Sequence, residues 1–263
     1  MENITSKNND KIKLAVSLRD SASQRKKHGM FFAEGARLCQ DAALSGIDIL
    51  QLFFTRKAEE KFGGYLNGIL PSAREVYIIS DEVSAKLSDT LSPQGVFCVC
   101  RIPDNDISDF TLVPGGKYIV LENVQDPSNT GAVGRTAEAL GLDGMIVCGG
   151  CDIYNPKALR ASMGAFFRLN IAQSTIRDVA AKAREAGLPL AVSTTDPHAR
   201  KITETDFSKG FICITGNEGS GVSDEAKKLC DFEITIPMAG RAESLNASTA
   251  SAIMIWEMVR HGA

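Results

Sequence analysis

Short apolar runs alternate with polar loops and helical patterns along this chain, and they fall into two regions. In the first, helical patterning runs through residues 10–28, and a second helix is expected over about 35–45, with Leu38, Ala42 and Ala43 on one face and Gly46 closing it. Apolar runs at 50–55, 76–79 and 96–101 predict strands, with helical segments between them. Residues 1–105 therefore form a small α/β domain. The stretch IPDNDISDFTLVPGG at 102–116 carries two prolines, two glycines and three aspartates, and it predicts a linker over 106–116.

Beyond it, over 117–263, the pattern becomes strand–loop–helix, repeated. Strands are expected at 117–122, 144–148, 190–194, 211–215 and 233–236, and helices at 131–140, 156–166, 176–185, 223–230 and 247–260. The strand runs are mostly apolar rather than alternating, as strands covered on both faces are. Alternating strands and helices predict a parallel α/β sheet. In open α/β sheets ligands gather outside the carboxyl ends of strands, so the post-strand loops are the places to look for chemistry.

Composition narrows the classes. The 263 residues are 44% hydrophobic and 23% charged, enough apolar material for a substantial core. The longest uncharged stretch, 244–256, has 13 residues, short of a membrane span, and the N-terminus lacks the apolar core of a secretory signal. Seven cysteines are too few and too odd for a disulfide scaffold, so reduced thiols in a cytoplasm are expected. The net charge of −3 hides an imbalance: between Lys11 and Arg37 lie seven basic residues against Asp20 and Glu34. Such a cluster is a solvated face or a phosphate-tracking surface. Arg25, Lys26 and Lys27 are its candidate RNA contacts, joined by Lys157 and Arg160 on a later helix opened by Pro156.

Three loops concentrate polar residues and glycine. The first, NVQDPSNTGAVGRTAEALG at 123–141, offers Ser128, Asn129 or Thr130 as caps for a helix beginning near Gly131. Arg135 then falls in the first or second turn, where the helix dipole disfavours a cation; either an anionic ligand or a surface ion pair with Glu138, three residues on, would account for it. The second, GNEGSGVSDE at 216–225, has the spacing G-x-x-G-x-G, which is neither a dinucleotide fingerprint nor a phosphate loop. Glu218 inside it would repel phosphate, and Ser223 reads as an ordinary helix start. The third, PMAGRAESLNASTASAIMIWE at 237–257, crowds Ser244, Asn246 and Ser248 at the entry of the last helix, more than one cap requires.

Other candidates carry less. Cys148-Gly-Gly-Cys151 has no second ligand pair at metal spacing, so no metal site is expected, and Cys98 and Cys100 share a strand face as small core residues. His28, His198 and His261 are far apart and lack acidic neighbours, and no nucleophile-elbow or zinc-protease motif occurs.

Together the strings DPSNTGAVGR (126–135), TGNEGSG (215–221) and IPMAGRAESLNAS (236–248) resemble the three signature motifs of the SpoU/TrmH family of RNA ribose 2′-O-methyltransferases. FFAEGARL (31–38) resembles part of that family's N-terminal RNA-binding extension. The resemblance implies a ribosomal-protein-like α/β domain followed by a parallel-sheet α/β domain with a trefoil knot, S-adenosylmethionine as cofactor, and a homodimer with active sites at its interface. It implies a catalytic set of Asn129, Arg135, Glu218, Ser244 and Asn246, and cofactor contacts from Thr215, Gly216, Gly221, Ile236, Met238 and Leu245. In this set Glu218 would orient Arg135 or Asn129, while a guanidinium, which stays protonated in proteins, makes Arg135 an electrostatic clamp rather than a base. Ribosomal RNA is the favoured substrate over transfer RNA. The rival from another class is a non-catalytic RNA-binding or ribosome-assembly factor that keeps the fold.

Overall fold

The computed structural model describes residues 1–260, so His261 lies outside the described residues. Contacts divide the chain into two compact units, one of 1–104 with 152–167 and one of 105–151 with 168–263.

The first unit is a five-stranded sheet with helices. In chain order it comprises β1 (Glu2–Ile4), α1 (Asp10–Asp20), α2 (Ala22–His28), β2 (Met30–Glu34), α3 (Ala36–Leu44), β3 (Ile49–Phe54), α4 (Arg56–Ile69), β4 (Ala73–Ile79), α5 (Asp81–Leu87) and β5 (Val96–Arg101). The sheet order is β1-β4-β3-β5-β2, with β5 antiparallel to both of its neighbours. The single helix expected over 10–28 is two. Ser21 takes an extended conformation that ends α1, and its hydroxyl accepts from the Gln24 amide to start α2. β2 was not anticipated, although its Phe31 and Phe32 are fully buried.

In the second unit, β6 (Lys117–Glu122), α6 (Pro127–Ala139) and β7 (Gly144–Cys148) precede an excursion into the first unit through α7 (Pro156–Ser162). There follow β8 (Ile171–Gln173), α8 (Ile176–Ala186), β9 (Leu190–Thr194), β10 (Arg200–Lys201), β11 (Phe211–Thr215), α9 (Asp224–Leu229), β12 (Phe232–Thr235) and α10 (Ala247–Val259). The sheet order is β10-β12-β9-β11-β6-β7-β8, and every pairing is parallel. All strand carboxyl ends therefore lie along one edge, which brings the loops after β6, β11 and β12 to the same side of the sheet. The last helix, α10, packs on α6 and β11 and fixes the third loop beside the first.

Two segments depart from the sequence-based boundaries. Residues 106–116 are not a solvated linker: Phe110 and Leu112 are buried in the second unit's core, and Lys182 donates to the Phe110 carbonyl at 2.9 Å. Residues 152–167 cluster with the first unit. There the Arg25 Nε donates to Asp152 Oδ2 at 2.6 Å, and the Phe31 ring stacks on Tyr154 at 4.9 Å between centroids.

Candidate active site

Asp126, not a residue near 130, caps α6: its side chain accepts from the Ser128 amide at 2.8 Å, and Pro127 occupies the first helical position. The helix thus starts four residues earlier than expected, with two consequences. Asn129 is no cap but the third helical residue, only 7% exposed. Arg135 is the ninth, in the third turn, where the helix dipole no longer acts on it. Its placement in the first or second turn is therefore corrected. Arg135 is exposed, and among the described residues no side chain pairs with it.

The loop after β11 closes on itself. Asn217 and Gly221 exchange backbone hydrogen bonds of 2.9 and 3.0 Å, and Asn217 Oδ1 accepts from the amides of Gly219 and Ser220. Gly221 sits at φ +68°, which favours glycine. Asn217 Nδ2 donates to the Asn123 carbonyl at 2.9 Å, tying this loop to the one after β6.

Glu218 completes that link. Its carboxylate accepts from the amides of Gln125 and Asp126, each at 3.1 Å, and from Asn129 Nδ2 at 2.9 Å. Burial works to raise its pKa. The hydrogen bonds from Asn129, Gln125 and Asp126 outweigh burial and hold it below the usual carboxylate range.

The third loop joins through Asn246, the N-cap of α10. Its Oδ1 accepts from the amides of Ser248 and Thr249, which leaves Nδ2 to donate to Asn129 Oδ1 at 3.1 Å. Each amide orientation follows from its neighbour, since the Glu218 carboxylate only accepts and helix amides only donate. A chain Asn246–Asn129–Glu218 thus connects all three loops. Of the two partners expected for Glu218, the structure pairs it with Asn129 and not with Arg135.

Beside this chain lies a cavity of about 300 Å³. Thr215, Gly216, Gly221, Ile236, Met238 and Leu245 all line it, as do Glu218 and Ser244. Ser193, Thr194 and Thr195, at the end of β9, line it as well. They were not singled out in the sequence because no glycine or motif marks that turn; the one available signal was their place after a parallel strand. Ile236, Met238, Leu245, Ala247 and Ala250 give the cavity apolar surface, against loop backbone and hydroxyl groups opposite. That mixture suits a nucleoside carrying a short polar chain.

The proposed RNA contacts separate into different classes. Arg25 is 3% exposed: besides Asp152, its guanidinium donates to the carbonyls of Leu18 and Arg19. It is a structural cation, not one offered to phosphate. Arg25→Ala is expected to cost about 3 kcal/mol, because a buried guanidinium's ion pair with Asp152 and its hydrogen bonds to two carbonyls are lost. A urea titration reads this cost, and an unchanged midpoint would return Arg25 to the surface. Lys26 and Lys27 are exposed in the last turn of α2, and Lys157 is exposed in the first turn of α7. Arg160 is half-buried and donates to Asp89 at 2.8 Å.

The thiols stay in the background. Cys98 and Cys100 are fully buried, as expected of small core residues, and burial pushes the Cys148 thiol up to about 12, far from a reactive thiolate. Among the described residues no group of three or more His, Cys, Asp or Glu is placed to hold a metal ion, and no helix is long and apolar enough to cross a membrane.

Comparison with known proteins places the chain in a family. Residues 116–256 match the model of the SpoU rRNA Methylase family, and residues 9–98 match an MRM3-like substrate binding domain. The chain is 29% identical to the 23S rRNA (guanosine(2553)-2'-O)-methyltransferase RlmP of Bacillus subtilis, over 98% of this chain and 99% of that one. It is also 29% identical to a 23S rRNA (uridine(2479)-2'-O)-methyltransferase of Streptomyces viridochromogenes, over 93% and 87%. Among solved structures, an AdoMet-bound rRNA methyltransferase from Sinorhizobium meliloti superposes with a TM-score of 0.90 at 28% identity, covering 100% of this chain and 98% of that one. The chain belongs to the SpoU rRNA methylase family.

Proposed function

We propose that the protein methylates a ribose 2′-hydroxyl of ribosomal RNA with S-adenosylmethionine as donor, and that it works as a homodimer. The observation that carries this reading is the Asn246–Asn129–Glu218 chain, which unites three remote loops beside one cavity. The backbone of 215–221 and the apolar side chains of Ile236, Met238 and Leu245 would hold the cofactor. S-adenosylmethionine, when bound, supplies a methyl group activated by a sulfonium. The relatives that act on 23S rRNA match along nearly the whole chain, which supports ribosomal RNA over transfer RNA.

The residues then divide the work. Glu218, whose carboxylate is engaged by three donors from the loop after β6 and the start of α6, is not offered to the hydroxyl proton. It fixes Asn129 instead, which in turn orients Asn246. Ser244 and Asn246, at the entry of α10, orient the ribose. Fixing the acceptor oxygen in line with the donor can contribute ~7–11 kcal/mol. Arg135 stands outside the chain of hydrogen bonds and faces solvent. Its role as a clamp on the developing alkoxide is therefore exercised on substrate, at a site that a second copy of the chain completes, with the proton passing to a phosphate oxygen of the RNA. The position of β12 beyond β9, with α10 returning over β11, supports the knotted path that the family resemblance implies. Seven cysteines, an odd number and most of them buried, support a reducing cytoplasm.

Isothermal titration with S-adenosylmethionine tests the cavity: saturable one-to-one binding per chain is expected. Absence of binding would leave a non-catalytic RNA-binding protein. Replacing Lys26 and Lys27 together by glutamine should weaken RNA binding and make its log–log salt slope shallower by about 1–2, with cofactor affinity unchanged. An unchanged slope would make them a solvated face.

A further inference from the structure

A second cavity, of about 490 Å³, lies wholly within the first unit and takes no part in the site above. Its walls come from three places: the end of β2 with the following α3, the loop between α5 and β5, and the end of α7. We propose that it receives a single unstacked nucleotide of the RNA substrate, with the base inside and its phosphate on Arg37. The proposal rests on the RNA-methyltransferase reading and names the RNA element that the first unit grips.

The floor of the cavity is acidic but spoken for. Glu34 is 7% exposed, and its carboxylate accepts from the Ser88 and Thr90 hydroxyls at 2.6 and 2.8 Å and from the Asp89 amide at 3.0 Å. Arg160 donates to Asp89 and lies 3.9 Å from Glu34, while its Nη1 is buried with no hydrogen-bond partner. The carboxylates of Glu34 and Asp41 in the wall are matched in number by the guanidiniums of Arg37 and Arg160, so the lining carries no net charge to hold a bare phosphate in the interior. The occupant is therefore a neutral, flat, partly apolar group that carries hydrogen-bonding edges, and a nucleobase has that description. At the rim Arg37 is exposed, and among the described residues no side chain pairs with it. It is placed to take the phosphate that follows such a base.

Two side chains show that the cavity is open for an occupant. Leu91, on the loop that Glu34 pins down, is fully exposed. Met163 ends α7 in the left-handed region at φ +50°, where glycine or asparagine is the usual residue, and its side chain is 41% exposed. A methionine there costs backbone strain and contributes little burial to the fold. Its place on the cavity wall gives the strain a purpose, since a polarisable thioether stacks well on a base face.

The test uses the full chain and two hairpin RNAs of equal length, one fully paired in its stem and one with a single unpaired 5-iodouridine. Met163→Gly and Leu91→Ser remove the walls, and Met163→Gly relieves strain, so it should fold at least as stably as the unmodified chain. The unmodified chain should bind the unpaired hairpin about tenfold tighter than the paired one, and both variants should lose that preference. Cofactor affinity should remain the same in all three proteins. Ultraviolet crosslinking of the iodouridine should label peptides containing Leu91 or Met163. Equal affinity for the two hairpins, retention of the preference in both variants, or crosslinks confined to other segments would each overturn the proposal. Loss of cofactor binding in the unmodified chain would instead overturn the methyltransferase reading beneath it.

Discussion

Gly216→Ala is expected to weaken S-adenosylmethionine binding by more than about 100-fold and to lower stability by about 1–3 kcal/mol or more. A Cβ at this position would lie 2.2 Å from the Gly221 carbonyl carbon and 2.3 Å from both Gly221 O and Val222 N. All three are backbone atoms, and the paired Asn217–Gly221 hydrogen bonds hold them in place, so no side chain can swing aside. Relief requires opening the loop, and with it the cavity wall formed by 215–221. Gly219 provides the control, since a Cβ there would meet only Asn217 Oδ1, at 3.6 Å. Gly219→Ala should bind the cofactor within about threefold of the unmodified chain, an ordinary outcome for an exposed site. Calorimetric titration of both variants checks the pair. Wild-type affinity in Gly216→Ala would mean that the loop is not the cofactor wall.

Arg135→Lys should reduce turnover by more than about 100-fold while leaving cofactor affinity and thermal stability unchanged. Arg135 is exposed, and among the described residues no side chain pairs with it, so its replacement should cost the fold little. Lysine keeps the positive charge but loses the planar fork that can hold a ribose oxygen and a phosphate together. Single-turnover methylation separates the possibilities. A small loss would show that charge alone suffices, and a fall in melting temperature would show a structural role that the exposed position does not predict. Mixing Arg135→Lys with Asn129→Ala chains adds a test of the shared site. If Arg135 acts on the partner's site, heterodimers recover one intact site and measurable activity.

Much of this was legible before the structure, and the parts that were not share physical causes. The strands 96–101, 117–122, 144–148, 190–194 and 211–215 were placed as observed, because unbroken apolar runs bounded by glycine and proline leave few alternatives. β1, β8 and β10 were not foreseen. They are edge strands of two or three residues whose pairing depends on a neighbour rather than on their own pattern. The start of α6 was misplaced because three good capping residues, Ser128, Asn129 and Thr130, compete with Asp126-Pro127. The competition is itself informative. Once Asp126 caps the helix, Asn129 is free to be buried as a hinge between Glu218 and Asn246.

Counting charges placed Arg25 with Lys26 and Lys27, although only the lysines face solvent; a tally along the chain cannot see burial. Likewise, Asp106, Asp109 and Pro114 in 106–116 concealed Phe110, which lies among them and is buried in the core. The cavity residues were found through motif resemblance. Where no motif existed, at Ser193–Thr195, the sequence was silent, although the parallel sheet places that turn beside the others.

On this reading three loops build one site that delivers a methyl group to a sugar oxygen. The direct measurement is to incubate the purified chain with undermodified ribosomal RNA and methyl-labelled S-adenosylmethionine, digest the RNA to nucleosides and locate the label. Label is expected in a 2′-O-methylated nucleoside from a single position, with at least about 100-fold less label for Asn129→Ala, which cuts the link between Glu218 and Asn246. Label on a base, or undiminished ribose methylation by Asn129→Ala, would contradict it.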